Sequence, residues 1–232
     1  MRKGNCPIIL SAPHGGYKQP KKVPDKVKGY NIPDKNTLII AKNIVSRLRQ
    51  KDIQLYYIFS KIHRSKIDFN RPPRFEVTYR LDSKEARKLH SHYMKTLLAF
   101  AQESIHRFNK CLVIDFHGFT KPKQNYPDII FGSVFGKTLN IPKKNPQQED
   151  DRYWGLYQLK TTFSKHFTLD DGLALKNLYL AYSGGYITYQ FCDIENINAL
   201  QLELAKELRT QLNLTNIFIS DFIDAIVQVL SQ

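Results

Sequence analysis

Short apolar runs alternate with longer stretches of helical spacing along this chain. Pro7–Ala12, Gln54–Phe59, Lys110–Phe116 and Asp128–Val134 read as strands. The run Cys111–Ile114 is continuously apolar, the mark of a strand covered on both faces. Asn36–Gln50 groups its apolar residues around 37–41, 44, 45 and 48, a helical period. Asp82–Asn109 is the longest helix candidate, with Asp82 and Glu85 at capping-box spacing. Asp150–His166 reads as a helix whose acidic first turn suits its dipole. Asn177–Tyr182, Tyr186–Phe191 and Ala199–Leu204 are strand-like, and Asn216–Leu230 closes the chain as an amphipathic helix. This succession predicts an α/β fold, a mixed, mainly parallel sheet flanked by helices. With no internal repeat, low-complexity tract or linker, residues 1–232 are expected to form a single domain.

Charge adds an asymmetry to that picture. Residues 1–80 carry 18 basic and 5 acidic side chains, and residues 81–232 carry 17 and 16, so the net +14 belongs almost wholly to the first third. Part of it lies in a Lys/Pro-rich stretch over residues 18–33, which reads as a surface loop. An anionic substrate or partner near that third is expected. Cys6, Cys111 and Cys192 show neither a CxxC spacing nor a disulfide framework. The apolar run at Ile8–Leu10 is too short for a signal-peptide core, and no stretch reads as a membrane span. A cytoplasmic protein without a membrane partner is therefore expected.

Two histidines stand at matching places. His14 follows the first strand in Ser-Ala-Pro-His-Gly-Gly, and His117 follows the strand Lys110–Phe116 in Val-Ile-Asp-Phe-His-Gly. Ligands of open α/β sheets sit beyond the carboxyl ends of the strands, so the pair points to one metal site. Asp115, on the strand face opposite Phe116, is placed to orient a ligand. A third ligand is required. His-x-x-Glu is absent, since Tyr17 stands three residues after His14. Asp34 is the best carboxylate and Asp25 the fallback, while a helix N-cap accounts for Asp34 equally well. Arg64 and Arg71 flank a strand-like segment ended by Pro72-Pro73, and with Asn70 they suit an anionic substrate end or a solvated surface strand. Glu203, between Leu202 and Leu204, fits a cleft general base or a solvated strand position. Tyr182-Ser183-Gly184-Gly185-Tyr186 reads as a turn with two phenols available.

Taken in order, Ser-Ala-Pro-His-Gly-Gly, the Pro-Asp-x-x-Thr helix start, Ile-Asp-Phe-Asn-Arg-Pro, Val-Ile-Asp-Phe-His-Gly and Ser-Gly-Gly-Tyr with Asn-Ala-Leu-Gln-Leu-Glu resemble the N-formylglutamate amidohydrolase family. The matches run from Ile8 to Arg209. The resemblance implies a zinc-carboxypeptidase-like (phosphorylase/hydrolase-like) fold and one Zn2+ per chain, held by His14, Asp34 and His117. It implies Glu203 as general base and Arg64 facing the polarised carbonyl. Asn70, Arg71 and Tyr186 would bind a small anionic N-acyl amino acid or peptide. A γ-glutamyl or cell-wall polymer is an alternative substrate. A nucleic-acid or polyanion binder using the basic third is the competing reading, not favoured because interleaved aromatics and zinc-finger spacing are missing.

Overall fold

The computed structural model describes residues 1, 3–142, 152–173 and 182–232. The described chain runs β1 (Ile8–Ala12), α1 (Thr37–Arg49), β2 (Tyr56–Phe59), α2 (Lys84–Phe108), β3 (Cys111–Phe119) and β4 (Ile129–Gly132). It continues α3 (Leu156–Phe163), β5 (Leu169–Asp170), α4 (Tyr186–Tyr189), β6 (Ile197–Ala205), α5 (Lys206–Thr210) and α6 (Leu212–Leu230). The six strands form one sheet in the order β2-β1-β3-β6-β4-β5. Every neighbouring pair is parallel except β4 and β6, which are antiparallel. The mixed, mainly parallel sheet flanked by helices is therefore the observed fold.

The alternation of side chains along β1, β3 and β6 explains how this sheet makes both a core and a site. One face carries Ile8, Leu10, Leu112, Ile114, Phe116, Leu200, Leu202 and Leu204, all buried in one cluster with α1, α3 and α6. Each such side chain contributes roughly 1.5–3 kcal/mol by leaving water. The other face is apolar only at its amino-terminal half, where Ile9, Cys111, Val113, Ile197 and Ala199 pack under α2 and α4. Towards the carboxyl ends the same face turns polar. Ser11 stands beside Asp115, Asp115 beside Gln201, and His117 beside Glu203 in parallel register. Paired residues on parallel strands project to one side, so four polar side chains of β3 and β6 share one end of one face.

Several elements differ from the sequence expectation. β3 continues through His117 to Phe119, so His117 lies within the strand rather than after it. α2 is capped by Ser83, whose Oγ accepts from the Ala86 amide, while Asp82 pairs with Arg80. The segment His63–Arg80 is a series of turns, because Pro72 and Pro73 lack ladder donors and Asp68 and Thr78 hold the chain locally. Tyr186–Tyr189 is one helical turn rather than a strand, closed by the Thr188 hydroxyl on the Gly185 amide and carbonyl. Most of the strand expected at Asn177–Tyr182, and Asp150 and Asp151 of the helix expected there, lie outside the described residues; residues 152–155 are turn rather than helix, and α3 begins at Leu156. α6 is long and apolar enough to cross a membrane by length and composition, contrary to the reading of the sequence. Its Phe218, Phe222, Ile226 and Val229 are fully buried in the core, and Phe218 lies 5.2 Å from Phe163.

Candidate metal centre and active-site cleft

The polar end of the sheet meets the loop after β1 and the entry to α1. The Asp34 amide donates to the His14 carbonyl at 3.0 Å, which brings these two residues together. The helix start is closed without the Asp34 side chain: the Thr37 hydroxyl and amide both donate to the Asp34 main-chain carbonyl. The carboxylate is thereby free to face the histidines. Its Oδ2 lies 3.6 Å from His14 Nδ1 and 3.4 Å from His117 Nδ1, and it accepts from the Gly118 amide at 3.1 Å. One ligand atom from each of His14, Asp34 and His117 lies within 4.8 Å of the others, and all three residues are buried. Asp25 is elsewhere. It is well exposed and bound to Ser65 and Lys66, so the fallback ligand is excluded.

Each imidazole is held from behind by a second carboxylate. His14 Nε2 lies 2.7 Å from Asp68 Oδ1, and His117 Nε2 lies 2.7 Å from Asp115 Oδ2. With Nε2–H donated to a carboxylate, Nδ1 carries the lone pair, as metal-bound histidines are usually arranged. Asp115 is fixed in turn by the Ser11 hydroxyl at 2.7 Å, and Ser11 meets Tyr93 at 2.9 Å. His14 Nδ1 is a buried polar atom without a hydrogen-bond partner. The two Nδ1–Oδ2 separations are close to the ~3.3 Å edge of a tetrahedron built on bonds of about 2.0 Å, the usual zinc–nitrogen and zinc–oxygen lengths. An orphaned nitrogen, a second imidazole nitrogen and a carboxylate at this spacing fit a borderline divalent metal such as zinc.

Electrostatics show a centre that attracts positive charge, whether carried by a proton or by a metal ion. Burial opposes a charge on Asp34, but the adjoining imidazoles of His117 and His14 outweigh it and hold the carboxyl far below the usual range. Burial also opposes a charge on His117, and Asp115, Asp34 and Glu203 together overcome it and push its pKa up. Asp68 is likewise held down despite burial, by His14, Arg64 and Lys26. Four buried carboxylates, Asp34, Asp68, Asp115 and Glu203, therefore surround two imidazoles, a centre that favours positive charge.

A cleft of about 310 Å³ opens onto this centre, lined by His14, Asp34, His117, Arg64, Asn70, Arg71 and Glu203. Glu203 Oε1 accepts from Gln201 Nε2 at 2.8 Å, and burial raises its pKa above the ordinary carboxylate value. Asn70 is committed to the protein. Its Oδ1 accepts from the Ile187 amide at 2.8 Å, and its Nδ2 donates to Gln201 Oε1 at 3.2 Å. It therefore orients Gln201, and through it Glu203. A Cβ on Gly185 would overlap the Asn70 amide, so the close approach of α4 requires glycine there. Arg64 binds Asp68 through Nε and Nη2 and Asp34 through Nη1, which leaves two of its five N–H donors. Arg71 is exposed on the cleft wall. Tyr186 is not on the cleft: its ring lies 6.0 Å from that of His90, in a separate hollow, and Tyr182 and Tyr30 supply the cleft's phenols instead. Gln201 escaped notice in the sequence, although its place two residues before Glu203 puts it on the same face of β6.

Known structures share this architecture. A crystal structure of N-formylglutamate amidohydrolase from Ralstonia eutropha JMP134 matches with a TM-score of 0.64 at 15% identity, over 97% of this chain and 94% of that one. The fold is that of N-formylglutamate amidohydrolase. A gene product of Agrobacterium tumefaciens matches with a TM-score of 0.67 at 13% identity, over 98% of this chain and 90% of that one. No protein-family model and no curated protein sequence matches the chain.

Proposed function

We propose that this chain is a metal-dependent amidohydrolase that cleaves the amide bond of an N-acyl amino acid with a free carboxylate, of the N-formylglutamate type, or of a γ-glutamyl or peptide relative. The observation that carries the reading is the convergence of His14 Nδ1, His117 Nδ1 and Asp34 Oδ2 beside the buried carboxylate of Glu203 in one cleft. His14, His117 and Asp34 would hold one zinc ion. When bound, such an ion supplies Lewis acidity to a carbonyl and lowers the pKa of water towards ~7. The chain's own residues supply the rest. Glu203, basic because it is ionised and yet raised by burial, accepts a proton from the attacking water and returns it to the departing nitrogen. The two free N–H groups of Arg64 stabilise charge on the carbonyl oxygen, an interaction typically worth ~3–4 kcal/mol per donor. Arg71 holds the substrate carboxylate from the cleft wall, which aligns the scissile bond.

The structural likeness to an N-formylglutamate amidohydrolase supports this reading at the level of fold. The test is the metal content of the purified protein, together with hydrolysis of N-formylglutamate, other N-acyl amino acids and γ-glutamyl peptides with and without chelator. One equivalent of zinc and chelator-sensitive release of a free amino acid are expected. A metal-free protein that gains no activity on adding zinc would reject the proposal.

A further inference from the structure

Beside the cleft lies a second hollow, of about 630 Å³, that the proposed hydrolysis does not use. Among the described residues none lines both. Asn70, Arg71 and Gly185 face the cleft, whereas Pro73, Arg74 and Tyr186, next to them in sequence, face the hollow. Its inner wall is aromatic and apolar. His90 is buried there, with its ring 5.6 Å from Tyr79, 6.0 Å from Tyr186 and 5.9 Å from Phe69, and Met94 lies one helical turn along α2.

The rim is cationic. Among the described residues, Arg74, Arg87 and Lys95 line the hollow and no Asp or Glu does. Among the described residues none of the three forms an ion pair: the Arg87 guanidinium donates to the Leu81 carbonyl, and Arg74 lies over the Phe75 ring. Unpaired guanidinium and ammonium groups beside an aromatic wall suit a ligand with a flat apolar body and a negative group. The volume falls within the range of small-molecule sites.

We propose that this hollow is a second binding site, for a free amphipathic anion with a flat ring system and a carboxylate, sulfonate or phosphate. The ring would lie against His90, Tyr79 and Tyr186, and the anion would meet Arg74 and Lys95. The site also touches the cleft. His90 Nε2 lies 3.0 Å from the Arg71 main-chain carbonyl, and the Arg71 side chain lines the cleft. The proposal does not depend on the hydrolase reading, because binding is measured without turnover.

The chain has two methionines, Met1 and Met94, so labelling the methionine methyl groups with carbon-13 gives one reporter in the hollow and one outside it. Naphthalene-2-sulfonate is the probe and 2-naphthalenemethanol its neutral control. A saturable shift of the Met94 methyl with Met1 unmoved is expected, with the neutral control at least tenfold weaker. The double variant Arg74→Gln/Lys95→Gln changes two exposed side chains, so it leaves the fold intact and is expected to weaken the sulfonate at least tenfold. An unmoved Met94 signal, equal binding of the neutral control, or unchanged affinity in the double variant would each overturn the site.

Discussion

Gln201 donates a hydrogen bond to Glu203, the proposed general base, and that bond has a measurable sign. A general base acts ionised, so activity falls as pH drops through its pKa. Burial and Asp34 raise that pKa, while His117, the Gln201 amide and His14 lower it. Gln201→Leu removes the donor, so the acid limb of kcat/KM should move to higher pH, which pH–rate profiles of the two proteins will check. Glu203→Gln should bind zinc normally yet lose about 10²–10⁴ in turnover, which zinc analysis beside an initial-rate assay will check. Asp68→Asn addresses the group behind His14. Zinc affinity, measured against a chromophoric chelator, should fall about 10–100-fold, as for other carboxylates behind a ligating imidazole. That His14, His117 and Glu203 meet in one cleft was legible in the sequence, because their places towards the carboxyl ends of strands and the alternation along β6 bring them to one end of the sheet. The choice between Asp34 and Asp25 was not, because it rests on the Asp34–His14 main-chain bond and the Thr37 cap, contacts that only folding supplies.

At the scale of elements, the Lys-rich loop that no hydrolytic role requires turns out to be anchored beneath the site. Lys26, with its side chain fully buried, donates to the carbonyls of Tyr30 and Val77 at 2.7 and 3.1 Å and lies 3.9 Å from Asp68. Burial pushes its pKa down to about 8, against the pull of Asp68. The folded state therefore binds fewer protons than the unfolded chain between pH 8 and the ordinary lysine value, and stability rises with pH across that interval. Urea unfolding should show the wild type gaining up to about 3 kcal/mol over that range relative to Lys26→Met, whose tyrosines titrate alike and cancel. β1 and β3 were readable because buried parallel strands are written as apolar runs, and β6 because its leucines alternate with polar residues. The short elements were not. Tyr186–Phe191 has strand-forming residues, yet Asn70 caps the Ile187 amide and Thr188 closes the turn, so tertiary contacts override local preference. His63–Pro73 fails as a strand for a related reason: Asp68 turns back to His14 and Arg64, and a strand here would separate them.

At the scale of the whole molecule, the basic first third and the acidic candidate metal centre belong to one electrostatic arrangement. Residues 1–80 supply both the positive surplus and two of the centre's carboxylates, Asp34 and Asp68. Arg64 and Lys26 are spent on those carboxylates inside the protein, whereas Arg71 at the cleft wall is exposed, in a segment rich in lysine and arginine. A field of this kind raises the encounter rate of an anionic substrate and leaves the chemical step alone. Raising the ionic strength from about 0.01 to about 1 M shortens the screening length from ~30 to ~3 Å. We therefore expect kcat/KM for an N-acyl glutamate to fall severalfold over that range while kcat stays constant, and a neutral N-acyl amide to show no such fall. Duplex DNA provides the contrast. A polyanion-binding protein would bind it with a steep dependence on salt, whereas a surplus that serves a small substrate should give weak binding that leaves N-acyl glutamate hydrolysis uninhibited. A tight duplex complex that blocks the cleft would assign the charge to the nucleic acid instead.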